Sequence, residues 1–182
     1  MSKKGIKKLL EPGGNTGKWA LGLTKASKDT SVTILDHQGQ IDVAMINAKE
    51  AGVGDRVDGV AIDLLDHSIA FPTGYDAVWM SQFLDCFGPP DIVALLKRSR
   101  AALNEDGRVY IIEPLWDRQA HELGAYCLIN TSPYFTALAN GTSKMYRQVE
   151  FEKFVEEAGL EIEEEINGLG FNSTMLICKI KK

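Results

Sequence analysis

Leu10-Glu11-Pro12-Gly13-Gly14-Asn15-Thr16-Gly17 is the stretch on which the reading of this chain turns. An apolar run over 8–11 leads into it and an amphipathic run over 16–26 leaves it, so the glycines stand at a strand-to-helix turn. Glycine there lets the backbone bend sharply and approach a ligand, while the start of the helix offers free N–H groups. A phosphate-binding loop ending Gly-Lys-Ser/Thr would use Gly17-Lys18, but its first glycine would fall on Pro12 and its hydroxyl on Trp19. That reading fails. A dinucleotide fingerprint needs a glycine spacing that Gly13, Gly14 and Gly17 do not supply cleanly, and it stays open.

Outward from this loop, short apolar runs alternate with amphipathic ones, the pattern of parallel strands joined by crossover helices. Strands are expected over 8–11, 32–36, 56–62, 75–80 and 108–113, and helices over 16–26, 40–51 and 91–103. In the last helix Ile92, Leu95, Leu96, Ser99 and Leu103 share one stripe, Pro89-Pro90-Asp91 opens it, and Asp106-Gly107 turns the chain afterwards. The rhythm then changes, and 116–146 reads as a helical insert. Phe151, Phe154, Val155 and Ala158 mark a helix ended by Gly159, and two final strands over 160–166 and 173–180 flank a turn at Asn167-Gly168. The expected fold is α/β: a Rossmann-like open sheet of seven strands, mostly parallel with an antiparallel carboxyl-terminal hairpin, helices on both faces, and a ligand where the strand order reverses.

Composition narrows the function classes. The chain has 182 residues, 45% hydrophobic and 25% charged, which suits one well-cored domain over 1–182 and excludes collagenous, disordered and disulfide-scaffold classes. No run approaches the ~20 apolar residues of a membrane-spanning helix, so no membrane partner is expected. With 25 acidic against 20 basic side chains and a net charge of -5, no nucleic-acid partner is expected either. Cys86, Cys127 and Cys178 are scattered and odd in number, which fits a reduced cytoplasm. The basic start is too short and too charged for a signal peptide, so a cytoplasmic location is expected. No metal site is expected from His37, His67 and His121 with Asp36, Asp63 or Asp66.

Asp36 closes the second strand, Asp63-Leu64 ends the third, and Tyr75-Asp76-Ala77-Val78-Trp79-Met80 forms the fourth. With the glycine loop, this series resembles the class I S-adenosylmethionine-dependent methyltransferases, whose first motif is an acidic residue followed by a glycine-rich turn. Asn15 stands where that family often has glycine, and Asn tolerates left-handed backbone angles. The resemblance implies S-adenosylmethionine as cofactor and S-adenosylhomocysteine as product. It places the cofactor at Glu11, Gly13, Gly14, Asn15, Gly17, Asp36, His37, Asp63, Leu64, Met80 and Ser81. Asp36 would accept both ribose hydroxyls, Asp63 the adenine amino group, Leu64 would line the ring, and the fourth strand would run under the methionine part.

Within that superfamily the segment 9–179 is most similar to the catalytic domain of small-molecule O-methyltransferases, the group with plant caffeate-type and bacterial hydroxyneurosporene-type enzymes. Gly13-Gly14-Asn15-Thr16-Gly17, the run from Tyr75 through Ser81-Gln82-Phe83-Leu84-Asp85, and Arg108-Val109-Tyr110-Ile111-Ile112-Glu113-Pro114 carry this similarity. It implies O-methylation of a small hydroxylated aromatic acceptor. The family's general base is a histidine, and Asp85 occupies that position; a carboxylate near pKa ~4 is a weaker base for a phenol unless burial raises it. Capping the loop before Pro89-Pro90 is the other reading of Asp85. Glu113 matches an acid flanking the base, and a second acid near Met145 or Tyr146 is missing. Trp116, Tyr126, Tyr134, Phe135 and Tyr146 are expected to wall the acceptor pocket, although each also suits a core.

Family members carry a preceding helical domain that makes the dimer, whereas here the first strand begins within ten residues of Met1. An isolated domain, monomeric or weakly dimeric, is therefore expected. The alternative is an S-adenosylmethionine-binding module with weak or no catalysis, because that domain is missing and the base is Asp85. For a nicotinamide-dependent oxidoreductase, this chain lacks both a clean glycine spacing and any Tyr-x-x-x-Lys pair of the short-chain type.

Overall fold

Runs such as Leu9-Leu10 and Ile34-Leu35, none more than 2% exposed, have no polar face to turn to solvent, as expected of strands covered on both sides. In a computed structural model, which describes residues 5–138 and 141–182, they become the central strands of a seven-stranded sheet. The basic start at 1–4, and Ala139 and Asn140 of the expected helical insert, lie outside the described residues.

The elements run β1 (Lys8–Pro12), α1 (Lys18–Ala26), β2 (Ser31–Asp36), α2 (Gln38–Glu50), β3 (Val57–Ala61), β4 (Tyr75–Ser81), α3 (Pro89–Ala102), β5 (Leu103–Glu113), α4 (Glu122–Leu138), α5 (Gln148–Glu157), β6 (Leu160–Leu169) and β7 (Ser173–Ile180). The sheet order is β3-β2-β1-β4-β5-β7-β6. β1 pairs in parallel with β2 and β4, and β2 with β3, while β6 and β7 are antiparallel. The order therefore reverses between β1 and β4, as the alternation of elements implied.

Most element boundaries move by a residue or two from the sequence expectation, and three of the differences have a clear local reason. α1 starts at Lys18 because Gly17 caps it in the left-handed region at φ 78. β5 begins at Leu103, and the bend expected at Asp106-Gly107 lies inside it; a Cβ on Gly107 would stand 3.0 Å from the Asn104 carbonyl oxygen. The turn expected at Asn167-Gly168 lies within β6. Register shifts at Ile162/Glu164 and Ile166/Leu169 absorb the extra residues as bulges, and the hairpin closes through Gly170, Phe171 and Asn172.

The chain divides into two compact units. The first runs to Trp79 and takes in Ala101–Arg108. Arg56 ties its α1–β2 connection, Nη1 donating to the carbonyls of Thr24 at 2.7 Å and Ser27 at 2.8 Å. The Asp76 carboxylate accepts the backbone N–H groups of Lys7 and Lys8, both at 3.0 Å, and the Asn104 amide at 3.0 Å. Burial pushes that carboxyl up, but these donors and the Lys7 charge prevail and hold it below its ordinary value.

The second unit holds Met80–Arg100 and Val109–Lys182. Ile92, Leu95, Leu96 and Ser99 of α3 are fully buried in it, four of the five residues of the stripe read from the sequence; the fifth, Leu103, is half-buried and opens β5 instead. Tyr146, 1% exposed, meets Phe151 and Phe154 edge-on with ring centroids 5.6 Å away in each case. Arg118 Nε bonds Glu165 at 2.9 Å, and Gln148 Nε2 donates to the same carboxylate at 2.6 Å.

Candidate functional site

In the first unit the glycine loop leaves β1 with Gly13 at φ 72, Asn15 at φ 52 and Gly17 at φ 78, all left-handed. Asn15 thus accommodates the conformation that glycine would otherwise supply. Gly14 is required by space: a Cβ there would lie 2.8 Å from Ile34 Cγ2 and 3.0 Å from the Glu11 carboxyl carbon. Two hydrogen bonds fix the loop against β2, and a third ties the Asp36 carboxylate to its own neighbour. Gly13 N–H donates to the Leu35 carbonyl at 2.8 Å, Asn15 N–H to Asp36 Oδ2 at 2.9 Å, and His37 N–H to Asp36 Oδ1 at 2.8 Å. Each Asp36 oxygen therefore keeps one lone pair for a further donor.

Glu11 is 5% exposed, and its Oε2 has no hydrogen-bond partner among the described residues. Burial, reinforced by the Asp36 charge, pushes its carboxyl up to about 8. The Ile62 N–H donates to the Asp36 carbonyl at 2.9 Å, which sets Asp63 just beyond the end of β3 and beside β2. Asp63 is exposed and accepts the Leu65 N–H at 2.9 Å, whereas Leu64 is buried. His37 is exposed and opens α2, its carbonyl taking the Ile41 N–H at 3.1 Å.

In the second unit Met80 is fully buried and Ser81 exposed. Gln82 follows at φ 48, its N–H bonded to the Ile112 carbonyl at 2.8 Å; sequence reading missed this left-handed residue, which carries no compositional mark. Glu113, at the end of β5 and 1% exposed, takes the N–H groups of Phe83 at 3.0 Å and Leu84 at 2.8 Å on Oε1. Its Oε2 is buried with no partner among the described residues. Asp85 lies in the short 3-10 turn Leu84–Cys86, 6% exposed, and accepts the Cys86 S–H at 3.6 Å.

Burial raises both carboxyls above their ordinary values; Glu113 is raised further by the Asp85 charge, against the pull of the N–H groups it accepts. Cys86 was missed as well, and burial with the Asp85 and Glu113 charges pushes its thiol up to about 12. The backbone N–H groups of Asp85 and Cys86 act on the Asp85 carboxyl, so capping of the loop before Pro89-Pro90 stands beside the reading of Asp85 as a base. α3 opens on Gly88, whose carbonyl takes the Ile92 N–H at 3.0 Å, and its leading prolines bring no N–H to satisfy.

The expected aromatic wall is corrected in part. Tyr146 is a core residue, its hydroxyl satisfied by the Phe87 carbonyl at 2.7 Å, and Tyr126 and Tyr134 stand 65% and 66% exposed on α4. Among the described residues no group of three or more His, Cys, Asp or Glu side chains is placed to hold a metal ion. No helix among them is long and apolar enough to cross a membrane.

Comparison with known proteins gives a family. The model of the O-methyltransferase domain matches residues 2–161. The chain is 30% identical over 159 residues to the L-tyrosine C(3)-methyltransferase of Streptomyces lavendulae, covering 87% of this chain and 42% of that protein. Among solved structures it resembles the S-adenosylmethionine-dependent methyltransferase SibL, with TM-score 0.83 and 26% identity over 97% of this chain and 51% of the other. It also shares the fold of NcsB1, an O-methyltransferase from neocarzinostatin biosynthesis solved with S-adenosylmethionine and 2-hydroxy-5-methyl naphthoic acid, with TM-score 0.80 and 21% identity over 96% of this chain and 49% of that one. The chain spans about half the length of these relatives.

Proposed function

The chain belongs to the O-methyltransferase domain family, and from that premise we propose that 1–182 acts as one methyltransferase domain, binding S-adenosylmethionine and passing its methyl group to a small hydroxylated aromatic acceptor. The observation that carries the reading is Asp36, locked at the end of β2 by two backbone N–H groups, with one lone pair left on each oxygen. A ribose diol presents two hydroxyl donors on adjacent carbons, which that carboxylate fits.

When bound, the cofactor supplies a methyl group on positively charged sulfur, already activated for in-line displacement. The remaining work is positioning and removal of one proton. Gly13, Gly14, Asn15 and Gly17 let the backbone come close, Asp63 accepts from the adenine amino group and Leu64 lines the ring. His37, Glu11, Met80 and Ser81 complete the cofactor set. Asp85 takes the acceptor proton, and its raised carboxyl is a better match to a phenol than an exposed aspartate. We place the protein in the cytoplasm, without nucleic acid or membrane as partner, as a monomer or weak dimer.

Calorimetry with S-adenosylmethionine, S-adenosylhomocysteine and NAD tests the cofactor, and binding of the first two with no response to NAD is expected. Methyl transfer from labelled cofactor to a panel of phenols and phenolic amino acids tests the reaction. Product analysis should find the label on oxygen; label on ring carbon, the site named for the tyrosine relative, would overturn O-methylation while keeping the transferase. Absence of cofactor binding would sink the whole reading.

A further inference from the structure

One face of α4 is anchored to its own chain. Ser132 Oγ accepts the Met145 N–H at 3.0 Å, and the Phe135 carbonyl takes the Ser143 hydroxyl at 3.0 Å. Leu128, Ser132, Phe135 and Thr136 make up this half-buried side. The opposite side is exposed and is centred on Asn130. Tyr126 and Tyr134 stand four residues before and after it, Leu123 and Ala137 seven before and after, and Leu138 eight after. At 3.6 residues per turn these offsets fall within about 80° of Asn130, so they form one outward stripe that reads nearly the same from either end. Its polar side chains are turned back on the helix. Asn130 Nδ2 donates to the Tyr126 carbonyl at 2.7 Å, and the Thr131 hydroxyl to the Cys127 carbonyl at 2.8 Å. Glu122 is the one charged residue of α4.

That charge pattern selects the occupant. A helix that lies on a lipid surface carries Lys or Arg beside its apolar face, and α4 has neither, in a chain of net charge -5. A strongly acidic or basic protein finds no opposite charge to pair with. A second copy of the same neutral stripe meets no like-charge penalty. A stripe symmetric about one residue also fits itself when turned end for end, which is the condition for a two-fold contact.

We propose that α4 is a self-association surface, on which two copies of this chain pair antiparallel about a two-fold axis through Asn130. Tyr126 then packs on Tyr134 of the partner subunit, Leu123 reaches Ala137 of the partner subunit, and the two Asn130 amides meet at the axis. A polar pair at that point fixes the register at some cost in strength. A contact one helix wide falls short of the ~800 Å² per partner of a standard interface, so the dimer is reversible, with dissociation in the range of roughly 10 μM to 1 mM. This surface is separate from the preceding helical domain to which the family resemblance assigns dimerisation, and the inference does not depend on methyl transfer.

The test is sedimentation equilibrium of the full chain combined with disulfide trapping. The parent should pass from monomer to dimer with rising concentration, and Tyr126→Lys combined with Tyr134→Lys should stay monomeric while melting within about 4 °C of the parent. Trapping locates the axis. In a Cys127→Ser background, mild oxidation of Asn130→Cys should link most of the dimer, because cysteines facing each other across the two-fold lie within the ~7 Å Cα reach of a disulfide. Leu123→Cys should not link, since antiparallel helices hold its two copies about 21 Å apart along the helix. Linkage at both positions shows a parallel pair and linkage at neither shows another contact; either overturns the proposal. So does a parent that stays monomeric at ~1 mM, or a lysine variant that still dimerises. Should the lysine variant unfold, the two cysteine variants decide the matter alone. Flotation with vesicles of phosphatidylcholine and phosphatidylserine should leave the chain unbound. Capture by the vesicles that the two lysines abolish would put lipid in place of the second copy and overturn it as well.

Discussion

Asp36 is both acceptor and strut. Its Oδ2 holds the Asn15 N–H, so Asp36→Ala releases the glycine loop and, on the proposed function, removes a ribose partner with it. Cofactor affinity should fall by about 1–3 kcal/mol in calorimetry, the range for a lost charge-assisted hydrogen bond, and an unchanged affinity would refute the placement. Gly14→Ala should cost about 1–3 kcal/mol in chemical denaturation, because its Cβ would meet Ile34 at 2.8 Å. Glu11 makes stability depend on pH. Its carboxyl is raised from 4.5 to about 8, so in that window the folded chain binds the proton more tightly than the unfolded one, and stability declines as pH rises through it. Glu11→Gln should therefore melt higher than the parent at pH 9, by on the order of a few kcal/mol, with the gap closing towards pH 4. Parallel melting curves for the two would contradict this. The loop and Asp36 were legible because a short motif carries them. The buried, partnerless oxygen of Glu11 was not, since it depends on what packs over the strand end.

At the scale of elements, α4 departs furthest from expectation. Its helical character was readable from 116–146, but its 17 residues have no buried side chain, and Leu123 and Leu138 are 70% and 67% exposed. Pro133 interrupts its hydrogen bonding from within. A helix that exposes this much apolar surface signals an interaction face rather than a core element. Leu123→Lys combined with Tyr126→Lys should leave folding stability within about 0.5 kcal/mol while lowering hydrophobic-dye binding and self-association in sedimentation. A large loss of stability would show that the face is packed within the chain. The bulges of β6 were equally hidden. Asn167-Gly168 carries a strong turn signature, and Gly168 does adopt φ 72, yet the neighbouring register turns that angle into a bulge inside the strand.

For the molecule as a whole, the sheet order was legible because Leu9-Leu10, Ile34-Leu35 and Ala77-Val78 read as buried parallel strands, and short connections leave few ways to arrange them. The division into two units was not, because no linker or change in composition marks it. Its consequence reaches beyond the folded state. The first unit closes only when the chain returns to it: Gly74 N–H donates to the Ala102 carbonyl at 3.0 Å, and the Asn104 amide reaches Asp76 at 3.0 Å. A ribosome therefore delivers the glycine loop and all of β1 to β3 well before the residues that finish their unit, and the emerging strands must wait with apolar edges open. A gene split after Trp79 strands 101–108 on the wrong fragment. No single cut yields two self-sufficient pieces, so the unit bearing Asp36 can be inherited, transplanted or shuffled only together with the stretch bearing Asp85.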